Sequence, residues 1–240
     1  MSREKSTFPQ MAGAGFVDFV ALSSIHCDGW GVSTIEHDEA TAHLDRAAEI
    51  AQSSKAFDVA IANANTDGGL LHLRWATIGL PVSENNAHPF VYQGYTFIHN
   101  GSIEPATFLD PYIAPKYTAQ IQGDTDSERY FYFILSQIDD YNGFEAGVTA
   151  AVKMLKENGD YSSINAMIMN ETTYIAIAEF HADRRPSFGG PDYYELKYRV
   201  SDEGVVVAST GWPQYGWQDL PNHHMLVVDR ETLTTKVVEL

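Results

Sequence analysis

The stretch that most constrains this chain is Leu70-Leu71-His72-Leu73-Arg74-Trp75-Ala76-Thr77-Ile78-Gly79. It follows the turn signal Asp67-Gly68-Gly69, runs apolar like a buried strand, and sets an arginine, a tryptophan and a threonine where that strand should end. A guanidinium is permanently charged and costly to bury alone. Arg74 therefore needs an anion, either a structural carboxylate or the carboxylate of a ligand.

The stretches that follow bear on that choice. Asn85-Asn86-Ala87-His88-Pro89-Phe90 reads as a polar loop closed by proline, and Tyr95-Thr96-Phe97-Ile98-His99-Asn100-Gly101 as a strand ending in an amide and a glycine. The glycine lets the backbone turn and frees its N–H, and the asparagine adds a neutral side-chain donor, so the pair is a candidate oxyanion hole. Gly123-Asp124-Thr125-Asp126-Ser127-Glu128 opens a helix with carboxylates able to hold a cation. An anion site and a cation site flanking two neutral donors suit an amino acid whose side chain carries a carbonyl.

Five segments in order, His26-Cys27-Asp28-Gly29-Trp30-Gly31, His72-Leu73-Arg74-Trp75-Ala76-Thr77, Asn86-Ala87-His88-Pro89-Phe90, His99-Asn100-Gly101 and Thr125-Asp126-Ser127-Glu128, resemble a class II glutamine amidotransferase domain. That family belongs to the N-terminal-nucleophile hydrolases, whose attacking residue is the first of the mature chain. The resemblance implies a four-layer αββα sandwich of two antiparallel sheets between helical layers. It also implies roles. Arg74 would pair with the glutamine α-carboxylate and Asp126 with the α-ammonium, Thr77 and His88 would complete the cradle, and Asn100 and Gly101 would stabilise the oxyanion. Ile78 stands where several members carry histidine.

The 240 residues, 44% of them hydrophobic, suffice for one sizeable domain over 1–240. A formal charge of −17, from 32 acidic against 15 basic residues, argues against nucleic acid and against an anionic membrane surface. A single cysteine excludes an intrachain disulfide and fits a reducing cytoplasm. With no charged-then-apolar leader and no apolar run near 18 residues, the expectation is a soluble cytoplasmic protein.

Family members open with cysteine, arginine and a short apolar strand, whereas this chain opens Met1-Ser2-Arg3-Glu4-Lys5-Ser6-Thr7. Two readings follow. Ser2 replaces the cysteine and becomes N-terminal once Met1 is removed, or Met1 is a late start and the first strand with its cysteine lies upstream. Glu4 to Thr7 cannot supply an apolar strand, which favours the second reading and an inactive chain as written. Cys27 lacks the free α-amine that the family uses as its base, and reads as packing.

Elsewhere the pattern is architectural. Phe16 to Leu22 has helical spacing, residues 44 to 66 read as an alanine-rich helix or helix pair, and Pro105 to Gln122, with three prolines, reads as a loop. A helix is expected over Ser127 to Ile138, capped by Asp124 or Thr125 if Asp126 binds ligand, and another over Phe144 to Asn158. Strands are expected at Ser163 to Met169, Thr173 to His181, Tyr193 to Val200, Gly204 to Thr210, Met225 to Asp229 and Thr234 to Val238. Two consecutive helices amid antiparallel strands predict an α+β sandwich.

Trp212 and Trp217, near the mouth in small family members, read either as a wall against the leaving group or as a packed loop. His223-His224 has no spacing that completes a metal site, and no cofactor is expected. The resemblance leaves three functions open: a glutaminase subunit giving ammonia to a partner synthase, a stand-alone hydrolase of γ-glutamyl amides, or a non-catalytic glutamine-binding domain. A homo-oligomer is a further partner expectation.

Overall fold

In a computed structural model of the chain, which describes residues 1–76, 79 and 81–240, the helices are α1 (Phe8–Ala12), α2 (Phe16–Ala21), α3 (Lys55–Asn63), α4 (Pro115–Thr118), α5 (Asp126–Tyr141) and α6 (Phe144–Asn158). The strands are β1 (Gly29–Thr34), β2 (His43–Ala47), β3 (Gly69–Arg74), β4 (Phe90–Tyr92), β5 (Tyr95–Glu104), β6 (Asp160–Met169), β7 (Thr173–Ala178), β8 (Leu196–Val200), β9 (Val205–Ser209), β10 (Gln218–Leu220), β11 (His224–Asp229) and β12 (Thr235–Glu239). They form a six-stranded antiparallel sheet, β12-β11-β7-β6-β5-β4, and two three-stranded ones, β2-β1-β3 and β10-β8-β9. The two small sheets meet through the chain's first residues. Ser2 donates its N–H to Asp67 O at 2.8 Å, and Val205 donates to Met1 O at 2.8 Å.

Three apolar clusters mark the contacts between layers. The largest joins the outer face of the six-stranded sheet to α5 and α6, through side chains such as Phe97, Phe131, Ile134, Val152 and Ile168. A second, with Leu70, Ile98, Ala176, Leu196 and Leu226, lies between the sheets. The third packs Phe57, Ala60 and Ile61 of α3 on Trp30, Val32 and Leu73. The chain thus folds as the expected four-layer sandwich.

Local chemistry explains the elements that carry the site. Thr125 caps α5 by accepting Glu128 N–H at 3.1 Å, and Asn142 in the left-handed conformation (φ 49°) ends it. Helices α5 and α6 pack so closely that a Cβ on Gly147 would lie 2.4 Å from Ile138 Cα. Asn170 Oδ1 accepts the N–H groups of Thr172 and Thr173, closing the β6–β7 turn. Between β5 and β6 the register shifts between Ser102 and Ile103, one residue past Gly101. Such an irregularity re-aims a strand where a site needs it.

Several expectations change. Residues 44 to 47 are strand, because they pair with Ser33 to Trp30 of β1, and that pairing outweighs alanine's weak helical preference; the helix is confined to α3. Phe90 leaves the polar loop for β4, joined to β5 by Gln93 and Gly94, both at positive φ (42° and 79°), a hairpin turn without its usual asparagine. The segment Pro105 to Gln122 contains α4, and Gly29 to Gly31 begin the central strand of a sheet. Tyr193 precedes its strand, and β10 carried no alternating pattern to announce it. Among the described residues, no helix is long and apolar enough to cross a membrane.

The α5–α6 approach yields a direct test. Gly147→Ala forces two backbones apart and is expected to lower unfolding free energy by about 1–3 kcal/mol, read as a lower urea midpoint at unchanged slope. A midpoint equal to the parent's would contradict the packing described.

Candidate functional site

The end of β3, the middle of β5 and the start of α5 converge on a cavity of about 520 Å³, which Arg74, His88, Asn100, Gly101 and Asp126 all line. Arg74 closes β3 opposite Gly29 and is 3% exposed. Its Nη2 donates to Pro81 O at 3.5 Å, while its buried Nη1 has no partner among the described residues. Burial lowers its pKa, and the charge of Asp28 opposes that. Asp28 is otherwise engaged, with Oδ2 accepting Ala76 N–H at 2.8 Å.

Arg230 provides an internal contrast. Equally buried, it reaches Asp67 Oδ1 at 2.7 Å and the carbonyls of Ile35 and Asn170, tying the small sheet to the end of β11. That is how this fold satisfies a structural arginine. Among the described residues Arg74 has no carboxylate in salt-bridge contact, so of the two anions its sequence allowed, a ligand's carboxylate is the better fit.

Three histidines lie beside it. His88 is 6% exposed with neither ring nitrogen partnered among the described residues, and its ring lies 4.4 Å from that of His72. Burial pushes His88 well below the usual imidazole range, and burial with the neighbouring cationic groups pushes His72 down to about 3. Both are therefore neutral at pH 7, able to offer one N–H and one lone pair but no charge. His99 lies between Ser127 Oγ (2.9 Å) and Ser163 O (3.1 Å). Because the carbonyl only accepts, Nε2 carries the proton and Ser127 donates to Nδ1. Burial lowers the pKa of His99 as well.

Asp126, the first residue of α5, is 6% exposed. Its Oδ2 accepts Ile103 N–H at 2.7 Å, while Oδ1 lies 3.4 Å from Ser127 Oγ, whose proton is given to His99. Thr125 makes the cap, so the Asp126 carboxylate is released from that duty. Gly101 adopts φ 151°, and a Cβ there would lie 1.9 Å from Ser163 O. Only glycine fits. Asn100, partly buried, faces Asn165 across the ladder; the Asn165 amide donates to Tyr194 O and its carbonyl accepts Glu179 N–H.

From this centre the cavity extends into a slot. Every residue of β3 lines one side and every residue of β9 the other, and among the described residues neither facing edge is paired along the slot. Met1 and Ser2 close its foot. The Met1 amine donates to Val205 O at 2.9 Å, and burial pushes it down to about 5. Ser2 Oγ donates to Thr66 O at 3.3 Å.

Five of the six expected contact residues thus share one cavity, with Ser2 at its edge. Thr77 and Ile78 lie outside the described residues. Cys27 is exposed. Trp212 lines the cavity but is held by Phe19 and Trp217, with its indole N–H on Ser209 O, so the packed-loop reading fits it. His223 pairs with Glu179 at 2.8 Å and His224 with Asn222 O, and among the described residues no cluster could hold a metal. Sequence reasoning missed the Ser127–His99–Ser163 buttress. Its only sequence signal was a histidine beside Asn100 on an apolar strand.

A family model of class-II glutamine amidotransferases matches residues 1–185. The isomerizing glutamine–fructose-6-phosphate aminotransferase of Vibrio cholerae is 29% identical over 154 residues, which cover 63% of this chain and 24% of that protein. A probable glutamine amidotransferase of Saccharomyces cerevisiae, DUG3, is 29% identical over 144 residues, covering 58% of this chain and 37% of that protein. The match thus spans about a quarter to a third of the length of these curated relatives. Among solved structures, a glutamine aminotransferase class-II domain protein from Silicibacter pomeroyi superposes with TM-score 0.65 at 20% identity, covering 88% of this chain and 91% of that one. Glutamine phosphoribosylpyrophosphate amidotransferase from B. subtilis gives 0.63 at 18% identity, covering 99% and 47%. At these identities both share the fold.

The neutral histidines make stability pH-dependent in a defined direction. The unfolded chain protonates His72 and His88 below about pH 6.5 while the fold keeps them neutral, so the unfolded state binds more protons and stability falls as pH drops from there toward 4. Each contributes a slope of about 1.4 kcal/mol per pH unit. Urea unfolding of His72→Gln over that range is expected to show a profile flatter by about one proton, and an unchanged slope would show that His72 titrates normally.

Proposed function

The chain belongs to the class-II glutamine amidotransferases, and from that premise we propose that its cavity binds glutamine for hydrolysis of the γ-amide, with the ammonia passing to a partner synthase. The buried Nη1 of Arg74, unpaired among the described residues, carries this reading, since it lines the same cavity as a carboxylate and two neutral donors. Arg74 takes the α-carboxylate through its planar fork, and Asp126, anchored by Ile103 N–H, takes the α-ammonium. His88, neutral, completes the cradle among the described residues. The Asn100 side-chain amide and the Gly101 N–H meet the oxygen of the γ-carbonyl as it becomes an oxyanion. Such donors each contribute roughly 3 kcal/mol to the transition state.

The attacking thiol belongs, in this reading, at the head of a strand in the slot. The Ser2–Gly204 pairing is antiparallel. A strand leading into Met1 would therefore run beside β9 toward Ser209 and beside β3 toward Arg74, and about five residues at 3.3 Å each span that distance. The thiol adds to the γ-carbon, its proton passing to the chain's own α-amine. The C–N bond then breaks, ammonia leaves with that proton, and water hydrolyses the thioester to glutamate.

With Ser2 Oγ engaged by Thr66 O, the 240-residue chain is expected to bind glutamine without turnover. Calorimetry should show Arg74→Ala and Asp126→Asn weakening glutamine by about 30-fold or more, as losing one partner of a buried charged contact does. Ammonia release by the 240-residue chain should not exceed that of Ser2→Ala, whereas the same chain preceded by cysteine and a short apolar strand should turn over. In that extended chain Asn100→Ala should lower kcat by about 10²- to 10³-fold. Glutamine affinity indifferent to Arg74 would sink the assignment. Steady release that depends on Ser2 would make serine the nucleophile.

A further inference from the structure

The mouth of the cavity carries a chain of aromatic contacts that the glutamine cradle does not use. Trp75 follows Arg74 directly and is 37% exposed. Its ring meets Phe188, 46% exposed, edge-on at 4.6 Å; Phe188 meets Tyr193 at 5.6 Å, and Tyr193 meets Tyr194 at 5.0 Å. Tyr194 O accepts from Asn165, the cross-strand neighbour of Asn100. The arc therefore runs from the residue beside the carboxylate-binding arginine to the residue behind the candidate oxyanion donor. Trp75, Tyr193 and Tyr194 all line the cavity.

Three features suit this arc to a flat apolar group. Trp75 and Phe188 are large and exposed yet locked against each other, so they present a fixed surface rather than a loose patch. The Tyr193 hydroxyl is pushed up to about 12 by burial, so it stays neutral there. Of the two cations on this loop, Arg184 is engaged by Asp160 and by Tyr161 O, and Arg185 by the carbonyls of Gly189 and Ala182. In the glutamine-site reading the γ-amide lies at Asn100, and the arc reaches the neighbourhood of that residue through Tyr194 O and Asn165.

We propose that this arc is a leaving-group subsite and that the preferred substrate is a γ-glutamyl amide of an aromatic amine, rather than free glutamine. It rests on the glutamine-site reading above. The chemistry stays acyl transfer to water: the γ-carbonyl–nitrogen bond breaks, the arylamine leaves carrying the proton taken from the nucleophile, and hydrolysis of the acyl intermediate yields glutamate.

The test needs no turnover. Calorimetric titration of the 240-residue chain with γ-L-glutamyl anilide and with L-glutamine should show the anilide binding about five- to tenfold more tightly, the range one aromatic contact supplies. Trp75→Ala should bring the ratio of the two affinities close to one, as should Phe188→Ala, the other half of the same contact, and Trp75→Phe should retain most of it. Glutamine binding as tightly as the anilide, or both ligands weakening equally in Trp75→Ala, overturns the subsite alone. Binding of neither ligand, or anilide binding indifferent to Arg74→Ala, overturns the glutamine site and the subsite with it.

Discussion

The charge of Arg74, unmet by any carboxylate among the described residues, is the constraint around which the site is built. A buried guanidinium without a carboxylate is unfavourable on its own, and it persists because β3 is fixed through its pairing with β1 and through the packing of Leu70 and Leu73. Asp28, the acid whose charge acts on it, spends its carboxylate on Ala76 N–H. The positive field also reaches the neighbours, adding to the burial that keeps His72 and His88 neutral. The pocket is thus selective by sign before any ligand arrives. A carboxylate relieves the field, and a second cation near Arg74 is repelled.

Opposite that charge, β5 is held from several sides. Ser163 O presses against Gly101 and anchors His99, and the register shift beyond Ser102 turns Ile103 N–H toward Asp126. The donors at Asn100 and Gly101 therefore stand on the longest ladder of the larger sheet, not on a free loop. Donors placed this way need little reorganisation when negative charge develops before them, and that is the source of oxyanion stabilisation.

Much of this was legible in the residues. Arg74, Asn100 and Gly101 stood out as polar or glycine residues closing apolar runs, although β5 continues past them to Glu104, while His88 and Asp126 took their roles from the family resemblance. The helix Phe144–Asn158 was readable to the residue, since its apolar spacing and the glycines flanking it agree. Less legible was whatever depends on distant partners. His43 to Ala47 looks helical until β1 supplies its ladder, and β4 needs Gln93 to accept a positive φ that its side chain does not favour. The buttress of Ser127, His99 and Ser163 joins three elements, and no local pattern foretells it. The arc from Trp75 to Tyr194 likewise brings together two loops more than a hundred residues apart.

The hydrogen bond from Ile103 N–H to Asp126 has a consequence for how such a domain diversifies. It joins the start of α5 to the strand carrying Asn100 and Gly101, so the proposed ammonium ligand and the proposed oxyanion donors share one hydrogen-bonded frame. The aromatic residues at the mouth belong to the segments after Arg74 and around 188–194, whose Trp75 and Phe188 touch none of that frame's hydrogen bonds. Trp75 and Phe188 stand outside that frame, while Tyr194, at the far end of the arc, is bonded to it through Asn165. In the proposed reading, the Trp75–Phe188 pair can be exchanged for other side chains to admit a different leaving group while the Ile103–Asp126 tie stays intact.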